Sequence, residues 1–172
     1  MDKNTLGVYI MARPSLTEAL NNVEATYAEV VEVANDMLSD IFIPINSLID
    51  EIREAGASIP VDALRDYMVR LQLRSYEISD IKEKSALKAE CAEALRKEKY
   101  ARTFNAAEGT AGVKDNTAFL ASSEEIIVEA LYNLVASLLK TKLDEVHRLI
   151  DTLKSILMSK MQEAKLALNG LE

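Results

Sequence analysis

The chain has one cysteine, one histidine, no tryptophan, three prolines and five glycines in 172 residues. Each scarcity excludes something. With Cys91 alone, no intrachain disulfide can form, and a reducing compartment is the simpler setting. A Ser-His-Asp device needs a histidine between a nucleophile and an orienting carboxylate, and His147 is the only one on offer. So few turn-formers and aromatics argue against a β-sandwich. No run reaches the ~18 apolar residues of a membrane span. The N-terminus lacks an apolar core followed by a small-residue cleavage site, so no signal peptide is expected.

What is present is helix. The composition is 49% hydrophobic and 28% charged, which excludes wholesale disorder. The stretch from Ser122 to Leu168 has no Gly or Pro, the residues that most disfavour a helix interior. Ser122 and Glu125 have the spacing of a capping box. Ile127, Leu131, Leu134, Leu138, Leu143, Val146, Ile150, Leu153 and Leu157 make a stripe at three-four spacing. Ser15 and Glu18 repeat the capping pattern. They open a second stripe through Leu16, Leu20, Val23, Tyr27, Val30, Ala34, Met37, Ile41, Ile45, Leu48 and Ile52. Pro44 lies inside this stripe and predicts a kink or a one-turn break between Asp40 and Pro44. Gly56 is placed to end the helix, and Pro60 to open the next. That helix carries Leu64, Met68, Leu71, Ile78 and Ile81, then weakens to Ala89, Ala92, Leu95 and Tyr100. An Ala-rich half of this kind is either solvated or packed closely on another backbone. Gly109 and Gly112 predict a sharp reversal or a left-handed backbone site. Residues 114–121 read as a short helix or an extended segment.

The expected architecture is all-α. It has an arm at 1–14 and one helical domain at 15–172, with three long helices at about 15–55, 61–107 and 122–168. The first is kinked at Pro44. The arm is a loose tail or packs on a partner subunit, and Met11 is an alternative start. Helices this long predict an elongated bundle or coiled coil, and a homo-oligomer.

No catalytic, cofactor-binding or metal-binding constellation stands out. Glu145-Val146-His147 lacks the Glu-x-x-His spacing of di-iron bundles. Asp36 and Asp40 share a helix face, as acids on solvated helices commonly do. Cys91 reads as an inert small residue, and the scattered methionines as core filler.

Charge is uneven. Residues 1–61 carry net −7, residues 62–104 net +2 and residues 105–172 net −3. The middle helix offers Arg70, Arg74, Lys84, Lys88, Arg96 and Lys99 as a solvated face or as a surface for nucleic acid or an acidic partner. The first helix offers Glu24, Glu29, Glu32 and Asp36 as an acidic surface able to imitate nucleic-acid charge.

The run Tyr100-Ala101-Arg102, Ala106 to Thr110 and Val113-Lys114 resembles a pattern in small helical bacteriophage proteins. There a charged, Ala-rich helix with a Tyr enters a Gly-Thr-Val turn, and a long terminal helix follows. The resemblance covers about half the chain, from Lys82 to Met161. It departs at Ala111, where valine is usual, and at the extra Gly112; the first helix lies outside it. It implies a phage or prophage origin and brings no catalytic residues. It links such proteins loosely to DNA recombination and single-strand binding, and the functions expected of this chain are non-enzymatic. The first is an accessory role in phage DNA metabolism or recombination, binding single strands or a phage or host protein. The second is inhibition of a host defence nuclease in the manner of an anti-CRISPR protein. The third is a structural coiled-coil or scaffold protein. The expected location is the host cytoplasm, with no membrane partner.

Overall fold

The structure, a computed structural model, describes residues 16–169. The expected arm and the Ser15 capping residue lie outside them. Four α-helices follow one another: α1 Leu16–Ala55, α2 Val61–Ala106, α3 Ala111–Ala121 and α4 Ser123–Asn169. Of the described residues, only Ile59, Pro60, Ala107 to Thr110 and Ser122 lie outside helices, counting a 3-10 turn at Gly56–Ser58. The three long helices begin and end within about one residue of expectation. The fourth is the short α3, which claims residues 114–121.

Of the two forms expected at Pro44 the break is absent, and the cap expected at Ser122 takes another form. α1 runs unbroken through Pro44, so no one-turn break occurs. The missing proline N–H leaves only the Asp40 carbonyl without its usual donor, and Asp40 is exposed to water. Ser122 is not an N-terminal cap with Glu125. It is the hinge between α3 and α4, with φ −98° and ψ 10°. Its hydroxyl donates backward to the Phe119 carbonyl at 3.0 Å, while its own carbonyl accepts from the Ile126 N–H at 3.3 Å.

The turns match their residues more closely. Gly56 ends α1 with φ +55°, the left-handed conformation that only glycine adopts freely. Gly109, at φ +110°, reverses the chain after α2. Gly112 lies inside α3 with open space where a Cβ would sit. Across this reversal the Tyr100 hydroxyl donates to the Asp115 carboxylate, tying α2 to α3. Tyr100 also stacks on Phe104 with ring centroids 6.2 Å apart.

The main packing is between α2 and α4, which run antiparallel. On α2 the buried positions Leu64, Leu71, Ile78, Ser85 and Ala92 recur every seventh residue; on α4 so do Leu139, Val146 and Leu153. Burial at this spacing keeps both sets of side chains on the face that the two helices share. The Ala-rich half of α2 is therefore a close-packed seam rather than a solvated one. Ser75 and Ser85 are buried in that seam, and each satisfies its hydroxyl on a carbonyl of α2 itself, at 2.8 Å. Leu95 and Ile127, expected on the stripes, are exposed instead, and Val135 and Leu139 are buried. Met37, Met158 and Met161 are also exposed, which corrects their reading as core filler.

α1 lies on this pair through its second half. Ala34, Leu38, Ile45, Leu48, Ile49 and Ile52 join the core. Lys142 of α4 pins the contact: its ammonium bonds Asn46 at 3.0 Å and Glu145 at 2.6 Å, and lies 5.4 Å from the Phe42 ring centroid.

Two outcomes are expected in urea denaturation followed by circular dichroism. Leu153, 1% exposed, should lose about 2–5 kcal/mol on change to Ala. The neighbouring Lys154→Ala should stay within about 0.5 kcal/mol, and equal effects would place Leu153 outside the core. Gly109→Ala should destabilise, because of its φ and because the new Cβ would stand 3.4 Å from Val113 Cγ1. Gly112→Ala should instead be neutral or stabilising, by up to about 1 kcal/mol.

Candidate interaction surfaces

Of the six basic residues of α2, Arg70, Arg74, Lys84 and Lys88 share one side of the helix by their spacing, while Arg96 and Lys99 stand at the seam with α4. Arg70 and Arg74 line a shallow cleft against α1 with Pro44, Ser47, Leu48, Glu51 and Glu77. Arg70 pairs with Glu51 at 3.2 Å and with Asp66 at 3.8 Å. Arg74 pairs with Glu77 at 2.7 Å, and Lys84 with Asp80 at 2.6 Å. Lys88 lies over the Tyr132 ring, 5.2 Å from its centroid.

Arg96 and Lys99 lie further in, where the α2–α4 seam turns from apolar to ionic. Arg96 Nε donates to Glu129 Oε2 at 2.9 Å, with the side chains 32% and 25% exposed. Lys99 Nζ donates to Glu125 Oε1 at 2.7 Å and has Glu124 at 3.9 Å. Lys99 and Glu125 occupy the same seven-residue phases as Ala92 and Leu139. They are thus a charged layer of the seam, and their spacing from the buried stripes is the signal that would have revealed it. The other Glu125 oxygen, Oε2, is buried without a hydrogen-bond partner.

The acidic candidates stand differently. Glu24, Glu29, Glu32 and Asp36 are all exposed, and none has an ion pair among the described residues. Glu29, Glu32 and Asp36 follow three-four spacing down one side of α1. That side is opposite the ribbon Leu20, Val23 and Tyr27, and Glu24 lies at the ribbon's edge. Upstream of Val30 every described side chain of α1 from Leu20 on is exposed, so this half of the helix rests on nothing among the described residues.

Other chemistry is sparse. Among the described residues no three His, Cys, Asp or Glu side chains converge as metal ligands. Cys91 and His147 are exposed on α2 and α4. No described helix is long and apolar enough to cross a membrane.

Two carboxylates titrate low because of lysine partners. The Lys97 ammonium, hydrogen-bonded to Glu93, holds that carboxyl below its ordinary value. The Lys99 hydrogen bond does the same for Glu125, aided by the glutamate's own backbone N–H and opposed by partial burial. In Tyr100 the hydrogen bond to Asp115 raises the phenol. For a depressed carboxylate, the stabilisation is complete above the unfolded value, about 4.3 for Glu. It is lost as pH falls through the lower folded value. Glu125→Gln should therefore lower Tm at neutral pH and flatten the fall in Tm on acidification. A Tm–pH curve parallel to that of the wild type would show that the charged layer does not stabilise the seam. Compared with protein-family models, curated proteins and solved structures, the chain matches none.

Proposed function

We propose that the chain is a non-enzymatic interaction protein whose working element is the N-terminal half of α1. It presents Glu29, Glu32 and Asp36 to a basic groove on another protein, with Glu24 further round at the edge of the apolar ribbon. The observation that supports this reading is the contrast in pairing. Four of the acidic candidates have no cationic partner among the described residues, whereas five of the six basic candidates are paired with carboxylates of their own chain. Phosphate binding by α2 would have to break those pairs or compete with them. The DNA-metabolism reading, with single strands held on α2, is correspondingly weaker.

Magnitudes define what such a surface can do. From Glu29 to Asp36 the acidic face offers roughly one carboxylate per 5 Å of axis, at 1.5 Å per residue. A single nucleic-acid strand of a duplex carries a phosphate about every 3.4 Å. The helix is thus a dilute imitation of a strand, suited to steering and blocking a short basic groove. With the resemblance to bacteriophage proteins, the proposed target is a host defence nuclease, met in the host cytoplasm and blocked at its nucleic-acid channel.

The test is cleavage of linear DNA by host lysate with and without the purified protein. Wild-type protein should slow cleavage, and the effect should weaken as salt rises. Glu29→Lys, Glu32→Lys and Asp36→Lys together should remove it, while Arg70→Glu, Arg74→Glu, Lys84→Glu and Lys88→Glu together should retain it. A salt-sensitive gel shift of single-stranded DNA by the wild-type protein, lost in the second variant only, would reverse the assignment.

A further inference from the structure

We propose that the apolar face of the N-terminal half of α1 is a pairing surface for the same face of a second copy of this chain. α1 has one apolar side along its length, but its surroundings change midway. From Ala34 to Ile52 that side is buried against α4 and α2, with Ala34 at 0% and Leu38 at 1% exposure. Upstream the same side carries Leu20, Val23 and Tyr27 at 54%, 66% and 66% exposure. Val33 and Met37 border it, 40% exposed each.

Leu20, Val23, Tyr27 and Val30 continue upstream the alternating steps of three and four with which Ala34 and Ile41 meet the chain's own core. That is a 3.5-residue repeat, the pattern by which one helix matches another along its length, and the same strip on a second copy carries the same repeat. The exposed strip amounts to several hundred Å², about the size above which an apolar patch signals a partner. Two such strips facing each other approach the ~1,000 Å² of a specific interface.

Charge placement selects a second copy over a partner of opposite charge. α1 is acidic, yet the positions beside the strip are Thr26, Val31 and Val33, with Glu24 the only carboxylate on its edge. Glu29, Glu32 and Asp36 lie on the far side. A face bordered by neutral residues meets its own image without like-charge repulsion, as a two-fold contact requires. Pairing through this strip leaves both acidic ribbons facing outward.

Sedimentation equilibrium of the full chain over a range of concentrations tests the proposal. Wild-type protein should approach twice the 19.1 kDa chain mass. Val23→Asp with Tyr27→Asp should sediment as a monomer with helicity retained, since both side chains are exposed. A wild type that stays monomeric overturns the proposal and leaves the strip to the chain's own first fifteen residues or to a different protein. A dimer that survives the two substitutions also overturns it and moves the contact elsewhere, for example to Met158, Met161 and Leu166 on α4. The Glu29→Lys, Glu32→Lys, Asp36→Lys variant should keep the dimer mass while losing nuclease protection, so the pairing and the proposed function fail separately.

Discussion

The antiparallel seam between α2 and α4 is the constraint on which the rest of the chain depends. Helices of 46 and 47 residues are stable in water only if their apolar sides are covered. Each covers the other for most of its length. The short α3 docks on α2 because Gly109 turns the chain and the Tyr100–Asp115 bond holds it there. α1 arrives from the opposite end through the Gly56 turn, and its buried half fills the groove beside α4. Every other contact is placed by that one pairing.

The seam is graded along its length. Leu64, Leu71 and Ile78 give way to Ser85, Ala89 and Ala92, and then to Arg96 and Lys99. Small residues let the two backbones approach, so dispersion contacts offset the smaller apolar area. Charged residues at seam positions cost stability relative to apolar ones, because both ions lose water. What they contribute is register: a slip of one turn would separate Arg96 from Glu129 and Lys99 from Glu125. The buried, unpartnered Oε2 of Glu125 marks where that compromise is least complete. A layer of this kind fixes alignment where uniform small residues would allow sliding.

Much of this was legible in the sequence, for reasons that can be named. The long helices announce themselves by period and by the absence of Gly and Pro, and their limits by Gly56, Pro60 and Gly109. Leu64, Leu71, Ile78, Val146, Ile150 and Leu153 were found because burial follows the period. The failures have a common cause. Leu20, Val23 and Tyr27 belong to a faultless stripe, but a stripe states only that a face is apolar, not that anything in the same chain covers it. Arg96 and Lys99 read as surface because charge outweighed phase, although Lys99 continues the seven-residue series through Ala92 and Arg96 stands seven residues after buried Ala89. Ser122 with Glu125 satisfied a local capping rule, yet the preceding α3 had already supplied the helical turn that a cap would replace. Nothing in Lys114 to Ala121 outweighed the two glycines before it until α2 provided a surface to dock on.

The upstream half of α1 is the part of the structure that folding does not explain. Contacts with the core begin near Val30, and Ala34 is the first fully buried residue. The residues from Leu16 to Val33 extend the helix by about 27 Å at 1.5 Å per residue. An isolated helix of that length has little stability of its own in water, and from Leu20 to Glu29 its side chains are all exposed. It nevertheless keeps two segregated faces, one apolar at coiled-coil spacing and one acidic. Both faces stand open among the described residues, which is why the acidic ribbon and the apolar strip are the surfaces proposed here for partners.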